Sequence, residues 1–172
     1  MSLSQASAAA PLRLLVLFAG FFLLLQWSYE QASGGPVETV VIDYATVKPA
    51  AYLIRQLAPE LQVRAVGHQL LSSNSTLSVL NGCEGTESLF LIIAAIAAYK
   101  SRWRHKLLGM VLATALIFVT NQARIVALYF ALQNNRALFN ALHSYIAPTL
   151  IIAVAAGFYL WWIRWVESAS QV

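Results

Sequence analysis

Charge is scarce in this sequence: only 10% of its 172 residues are Asp, Glu, Lys or Arg, whereas 59% are hydrophobic. Soluble domains usually carry about 25% charged residues, so this composition excludes an ordinary soluble domain and indicates a membrane protein. Cysteine is scarcer still, with 1 residue, which excludes an internal disulfide framework. Internal repeats and low-complexity segments are also missing from the sequence, which excludes a repeat architecture.

The net charge of +4 comes largely from basic residues that lie close together. The segment 100–106, Lys-Ser-Arg-Trp-Arg-His-Lys, lies between two long apolar runs. Short basic loops between spans are typical of the cytoplasmic side of a membrane. The charge therefore predicts a membrane orientation and the lipid bilayer as a partner, and we expect no nucleic-acid binding.

Four apolar runs predict an all-α integral membrane protein that forms a single domain over residues 1–172. The predicted transmembrane spans are 12–28, 81–99, 107–132 and 143–165. The second run is apolar only from Leu89 to Tyr99, which is too short for a ~30 Å hydrocarbon core, so this span must include the polar residues before it.

The first run has two interpretations. Small residues at 31–35 are compatible with cleavage of a signal peptide. We favour an uncleaved span because the later spans need it for their orientation, although removal after export leaves the same topology. With the basic loop inside, both termini lie inside, and the segments 29–80 and 133–145 lie outside.

The outer segment 29–80 is predicted to be a small α+β piece that caps the helical bundle. The β-branched residues of 37–47 predict a strand, and the helical spacing of apolar residues after Pro49 predicts a helix over 50–57. Residues 72–75 predict a turn, and a weak alternation from Thr76 to Leu80 predicts a strand that leads towards the cysteine.

Three residues with reactive or charged side chains, Cys83, Arg124 and His143, are predicted at one depth near the outer surface. Measured from the inner end of its own span at 1.5 Å per residue, Arg124 lies roughly 25 Å up and His143 roughly 33 Å up. Cys83 lies roughly 24 Å up if the second helix continues that far. Topology and helix rise thus bring a thiol, a guanidinium and an imidazole to one level.

These residue types suit nucleophilic catalysis. The thiolate of Cys83 is a nucleophile, and His143 can accept the thiol proton and later donate a proton to a leaving amine. Arg124 stays protonated, so it can stabilise an oxyanion or bind a carboxylate; its alternative interpretation is a side chain that snorkels to the headgroups. Glu84 and Glu87 argue against a reactive thiol because nearby carboxylates raise the pKa of a cysteine.

Other residues around the trio have supporting roles in this prediction. Gly82 and Gly85 would allow close approach of a peptide backbone to the thiol. Asn121 lies three residues before Arg124 on the same helix face, where it could orient the guanidinium or contribute a hydrogen bond. No His, Cys and Asp cluster has metal-ligand spacing, so no cofactor is expected. His68 and His105 are interpreted as surface residues.

Three motifs resemble the exosortase/archaeosortase family of integral membrane cysteine enzymes. They are Asn81-Gly82-Cys83-Glu84-Gly85, Asn121-x-x-Arg124-Ile125 in the next span, and His143 at the mouth of the last span. The resemblance covers about residues 76–150 and implies Cys83 as nucleophile, Arg124 as transition-state stabiliser and His143 as acid/base. Many members have Ser where this chain has Glu84, and many have more than four spans.

The resemblance implies a protein-sorting transpeptidase or thiol protease. Its substrates would be exported proteins whose C-terminal signal consists of a short motif, a transmembrane helix and a basic tail. The sequence thus predicts a hydrolase of the cytoplasmic (inner) membrane of a prokaryote, with its active site facing the periplasm or outside. A thioester at Cys83 would be released to an amine or to water.

Two alternatives from the residues themselves remain open. One is a non-catalytic subunit of an exopolysaccharide or secretion assembly, in which Arg124 pairs structurally with Glu84 or Glu87. The other is a small transporter subunit, in which the same charged residues line a pathway through the membrane.

Overall fold

The structure, a computed structural model, describes residues 3–73, 75–80 and 82–169, with side chains from residue 11 onward. The helices are α1 (Leu3–Gln31), α2 (Pro36–Thr39), α3 (Lys48–Leu57), α4 (Thr86–Ala98), α5 (Trp103–Asn134), α6 (Arg136–Ala141) and α7 (Ala147–Ala169). A π-helical segment, Val40–Val47, joins α2 to α3, and a π-helical turn, Leu142–Ile146, joins α6 to α7. A 3-10 turn, Pro59–Leu61, follows α3, and the strands are β1 (Arg64–Val66), β2 (Gln69–Leu71) and β3 (Thr76–Ser78).

The architecture is that of an all-α membrane protein, as predicted. Three helical stretches in the described residues are long and apolar enough to cross a bilayer: Pro11–Gln31, Trp103–Asn134 and Arg136–Ala169. The second predicted span, 81–99, corresponds to α4, an apolar helix of 13 residues. At 1.5 Å per residue α4 is only about 20 Å long, so its role as a complete span stays a prediction.

Helix α4 contacts α1, α5 and α7 and so lies at the centre of the bundle. Two of its buried residues belong to an apolar cluster that we call the inner core, formed by Ile92, Ile96, Ala113, Ile117, Ile151, Ala155, Trp162 and Val166. Gly109 allows Trp162 to lie against α5, since a Cβ at Gly109 would lie 2.4 Å from the indole Nε1. The indole N–H donates a hydrogen bond of 3.2 Å to the carbonyl of His105.

A second cluster, which we call the outer core, joins the segment before α4 to the C-terminal half of α5. Its buried members are Ile42, Val47, Ala50, Ala51, Ile54, Val63, Leu70, Leu77, Val79, Ile125, Leu128 and Tyr129. The Gln122 side-chain amide of α5 donates a hydrogen bond of 3.1 Å to the carbonyl of Ala45. The outer segment is therefore packed and hydrogen-bonded onto the bundle.

The strand predicted over 37–47 is wrong, because these residues form α2 and the π-helical segment. β-branched residues disfavour a helix only weakly. Burial in the outer core of Ile42 and Val47, which are 1% and 0% exposed, outweighs that preference. The helix predicted over 50–57 is confirmed as part of α3, which has Pro49 in its first turn. The strand predicted from Thr76 to Leu80 is confirmed as the shorter β3.

The three strands form an antiparallel sheet in the order β1-β2-β3. Strands β1 and β2 are joined by the two-residue turn Gly67–His68, and Gly67 has a positive φ of 52°. A positive φ at the first turn residue is typical of the tight turns that suit the twist of a hairpin. Leu70 lies opposite Leu77 in the pairing of β2 with β3, and both side chains are buried in the outer core.

Helix α4 does not extend back to the cysteine, which corrects the prediction of a helical span from residue 81. Residues 82–85 form a turn, and α4 begins at Thr86. Gly85 has a φ of 85°, and a Cβ there would lie 3.0 Å from Cγ of Asn121. The left-handed backbone and the close contact with α5 both require glycine, so they set the start of the helix.

Candidate active site

Cys83 lies in the turn before α4, outside the helices. Its backbone N–H donates a hydrogen bond of 2.9 Å to the carbonyl of Leu80, and its half-buried side chain packs against the outer core. The thiol is thus held where the end of the outer segment meets the bundle. Because α4 begins three residues later, its N-terminal dipole favours negative charge in this region.

Cys83 and His143 line the same cleft, which has a volume of about 380 Å³. One wall of the cleft is formed by β3 and the residues after it, and the other by the C-terminal end of α5 and by α6. The remaining lining residues are Thr76, Leu77, Ser78, Leu80, Leu132, Arg136 and Phe139. Two of the three residues predicted to act together therefore share one cavity.

His143 lies in the π-helical turn between α6 and α7. Its ring stacks on that of Phe139, with centroids 5.6 Å apart and an interplanar angle of 6°. The Cζ of Arg136 lies 6.0 Å from the centre of the Phe139 ring. Single π-helical turns within α-helices occur frequently at functional sites, and this one places an imidazole beside the cleft.

Arg136 is a cleft residue that sequence reasoning missed. Its position depends on Asn135, whose Oδ1 accepts hydrogen bonds of 2.9 and 3.1 Å from the N–H groups of Ala137 and Leu138. This N-cap restarts the chain as α6 directly after α5 and brings Arg136 to the cleft. The Asn-Arg pair after a long helix was the available signal, but a cation at a helix end ordinarily indicates a solvated surface.

Arg124 lies on α5 and is half-buried. Arg124 is not among the described residues that line the cleft. Its positive charge nevertheless lowers the pKa of the Cys83 thiol. The Nε atom of Arg124 is buried and has no hydrogen-bond partner within the described part of the chain. An unpartnered buried donor of this kind costs about 1–3 kcal/mol and marks a place where an acceptor is needed.

Burial raises the pKa of the Cys83 thiol above its ordinary value. The positive charge of Arg124 opposes this effect and lowers the pKa, whereas the negative charges of Glu84 and Glu87 raise it further. The thiol form consequently dominates at neutral pH in the resting protein. A base that removes the proton during attack is needed for this cysteine to react rapidly.

Glu84 and Glu87 line a different cavity, of about 400 Å³, together with Gly82, Thr86 and residues of α1. Glu84 is 8% exposed; one carboxylate oxygen accepts a hydrogen bond of 2.8 Å from the Thr86 hydroxyl, and the other has no partner among the described residues. Within residues 3–73, 75–80 and 82–169, the sole ion pair is that of His68 with Asp43. The structural pairing of Arg124 with either carboxylate is therefore not formed there.

The remaining predicted site residues have varied surroundings. Asn81 lies outside the described residues. Asn121 is 2% exposed and contacts Gly85, and its Oδ1 has no partner in the described part, so it does not accept a hydrogen bond from Arg124. Gly82 has a φ of 91°, and a Cβ there would lie 3.8 Å from Oε1 of Glu87, the sole atom within 4 Å among the described residues beyond its chain neighbours.

Two histidines interpreted as surface residues have specific contacts. His68 pairs through Nδ1 with the carboxylate of Asp43. The ring of His105 lies 5.0 Å from that of Trp165 and is half-buried. Neither histidine lines the cleft. Among the described residues, no group of three or more His, Cys, Asp or Glu side chains is placed to hold a metal ion.

Comparison with known proteins gives one match. A family model described as transmembrane exosortase, Exosortase_EpsH, matches residues 2–162. The matched region runs from α1 into α7 and contains the cleft, Cys83, Arg124 and His143. Neither the curated proteins nor the solved structures give a match to this chain.

Proposed function

This chain belongs to the transmembrane exosortase family, and from that premise we propose that it is a membrane cysteine transpeptidase or protease. It cleaves the C-terminal sorting signal of exported proteins at the outer face of the cytoplasmic membrane. The observation that carries the proposal is the shared cleft of Cys83 and His143, with the charge of Arg124 acting on the thiol.

The first half-reaction forms a thioester. His143 takes the proton of the Cys83 thiol as sulfur attacks the scissile carbonyl carbon, which becomes a tetrahedral oxyanion. Collapse of this intermediate breaks the C–N bond, and His143 returns the proton to the leaving amine. The raised pKa of Cys83 supports this order, because a resting thiol needs a base at the moment of attack.

The second half-reaction releases the acyl group. An amine gives a transpeptidation product with a new amide bond, and water gives a carboxylic acid. In either case His143 accepts a proton from the attacking group, and the sulfur leaves as the thiolate and takes up a proton. The stacked Phe139 ring holds the imidazole plane through both steps.

Arg124 stabilises negative charge in this mechanism. Its buried Nε lacks an acceptor among the described residues, so a substrate oxygen that arrives near Cys83 supplies the missing partner. A donor placed before the reaction stabilises an oxyanion without reorganisation, and such a donor typically accounts for about 10²–10³ in rate. A carboxylate of the substrate is the alternative partner.

The membrane topology supports an outward-facing site. The basic segment 100–106 follows α4 and begins α5, at the opposite end of the bundle from the cleft. Under the positive-inside rule that end faces the cytoplasm, so Cys83 faces the exported part of a substrate. A substrate anchored by its own helix would then present the segment before that helix at the level of the cleft.

The test is processing of an exported reporter that ends in a short motif, a membrane helix and a basic tail taken from the same genome. We expect wild-type protein to shorten the reporter and Cys83→Ala to leave it intact, at equal protein levels. Unchanged processing in Cys83→Ala would show that Cys83 is not the nucleophile.

Orientation is tested separately with a membrane-impermeant maleimide on intact cells. Cys83 is the sole thiol of the chain, so labelling reports on it alone. We expect labelling from outside in the wild type and none in Cys83→Ala. Labelling that occurs only after the inner face is opened would place the cleft on the wrong side.

A further inference from the structure

We propose that the free edge of β3 binds the substrate as an added antiparallel or parallel strand, so that the peptide is held by main-chain hydrogen bonds while Cys83 attacks it. This inference rests on the proposed function, since it names how the peptide is held in the same cleft. The occupant is the extended segment of an exported protein that precedes its membrane helix.

The sheet order leaves β3 with one unpaired side, because β2 pairs with β3 and no described strand lies beyond it. The hydrogen bonds next to the ladder show which residues face which side. The N–H of Val79 donates to the carbonyl of His68 at 2.8 Å, and the N–H of Ser72 donates to the carbonyl of Ser75 at 3.0 Å. Residues 75 and 79 therefore direct backbone groups towards β2.

Backbone groups alternate in direction along a strand. The backbone N–H and C=O groups of Leu77 therefore point towards β2. Those of Thr76 and Ser78 point to the free edge. Both of these residues are exposed, whereas Leu77 is buried in the outer core. The free edge thus offers two donors and two acceptors in the spacing that an extended peptide matches.

This edge opens into the catalytic cleft. Thr76 and Ser78 line the same cavity as Cys83 and His143, with Arg136 and Phe139 on the opposite wall. A strand added at the usual spacing of ~4.8 Å from β3 would run between the two walls. Since Cys83 follows β3 by five residues through a turn, the thiol lies near one end of the added strand.

Strand addition also gives a function to the short sheet beside the helical bundle, whose β3 edge is free. Cleavage requires an extended peptide, because a helical segment has its carbonyl groups occupied by internal hydrogen bonds. Main-chain pairing supplies affinity without reading every side chain, and alternate side chains of the peptide face the cleft walls. Specificity then depends on the residues that point towards the wall formed by α6.

The first experiment removes one edge donor with proline, which is tolerated on an edge strand whose N–H faces outward. We expect Ser78→Pro to lower reporter processing about tenfold at limiting reporter, through loss of a main-chain hydrogen bond and the approach it permits. The matched control is Ala65→Pro. By the same alternation, Ala65 directs its N–H to the far edge of the sheet on β1, away from the cleft.

The outcomes separate the two proposals. Loss of processing in Ser78→Pro with retention in Ala65→Pro supports strand addition. Full processing in Ser78→Pro overturns strand addition and leaves the proposed function intact. Processing that survives Cys83→Ala overturns the proposed function whatever the proline variants do. The alkylation rate of Cys83 by iodoacetamide, measured in each proline variant, reports whether the turn before α4 is intact.

A second experiment does not depend on the folding of a proline variant. In a Cys83→Ser background, Thr76→Cys is paired with single cysteines placed one by one along the reporter segment before its helix. Side chains of a strand alternate between faces, so we expect disulfides at one reporter position and at residues two away, and none at the positions between. Equal crosslinking at consecutive positions, or none at any position, overturns strand addition.

Discussion

The inner and outer halves of the bundle differ in how many of their buried polar atoms lack a hydrogen-bond partner within the described residues. In the inner core the largest polar side chain, Trp162, has its N–H bonded to the carbonyl of His105. In the outer half, buried polar atoms lack partners within the described residues, and they belong to Gln26, Tyr29, Glu84, Asn121, Gln122, Arg124, Tyr129 and Gln133. Only Ser101 and His105 contribute such atoms near the inner end.

The outer half therefore contributes less to the stability of the folded state than the inner half does. Each buried polar atom without a partner costs about 1–3 kcal/mol, so a protein selected for stability alone would not concentrate them in one half. Two of these residues, Glu84 and Arg124, act through their charges on the Cys83 thiol, although none of the eight lines the cleft. The inner half is a closely packed scaffold. Substitutions in the outer half should therefore change rates, and substitutions in the inner half should change stability.

The largest expected effect is that of His143→Ala, which should lower reporter processing by about 10²–10⁴-fold through loss of the proposed acid/base. His143→Phe is the matched variant, because it keeps an aromatic ring to stack on Phe139. We expect both variants to fail in a processing assay. Recovery of processing in His143→Phe would mean that the ring contributes packing alone. Residue 143 would then affect stability and not rate, as residues of the inner half are expected to do.

Arg124→Lys sharpens the comparison along a single helix. Lysine keeps the charge but has no Nε, so we expect processing to fall by about 10²–10³-fold, the usual effect of losing one preorganised donor. The control is Arg104→Lys, at the exposed inner end of the same helix, which should process the reporter at the wild-type rate. Equal rates in the two variants would remove Arg124 from the mechanism.

Gly109→Ala tests the inner half. A Cβ there would lie 2.4 Å from Nε1 of Trp162, so the inner core must shift, and overpacking of this kind costs about 1–3 kcal/mol. We expect a lower thermal unfolding midpoint in detergent and unchanged processing per folded molecule. Gly157→Ala on α7 is the control, because nothing lies within 4 Å of its Cβ position. Equal midpoints in both variants would contradict a closely packed inner core.

The smallest expected effect concerns the pKa of Cys83, which the negative charge of Glu84 raises. Glu84→Gln removes that charge, so the pKa falls, the thiolate fraction rises, and alkylation by iodoacetamide at neutral pH should be about threefold faster. The rates of the two proteins should converge at a pH above both pKa values, where the thiolate dominates in each. The control is Glu167→Gln at the inner end, and a slower reaction in Glu84→Gln would reverse the assigned sign.

Much of the fold followed from patterns that act locally. Proline in the first turn placed α3 correctly, and apolar runs placed the long helices. The strand predicted over 37–47 failed because Ile42 and Val47 are buried in the outer core, an interaction that local preference does not contain. The start of α4 also escaped prediction, because it depends on the contact of Gly85 with Asn121, which is distant in sequence.

The sequence predicted part of the candidate site, as it predicted part of the fold. Topology and helix rise predicted one shared depth for Cys83, Arg124 and His143, and the structure places Cys83 and His143 in one cleft. The role of Arg124 stays a prediction, supported by its charge effect on the thiol. Arg136 could not be foreseen, because its position requires the break between α5 and α6 and the fold of the outer segment.

The π-helical turn Leu142–Ile146 has a consequence for the phase of the last span. A π-helical turn holds an additional residue relative to an α-helix, and one residue corresponds to a rotation of about 100° about the helix axis. Arg136 and Phe139 are therefore rotated about the helix axis, relative to the positions they would have if α6 continued into α7 as one regular α-helix. Deletion of a single residue within the turn would rotate this wall of the cleft away from Cys83, while the hydrophobic character of the span would hardly change.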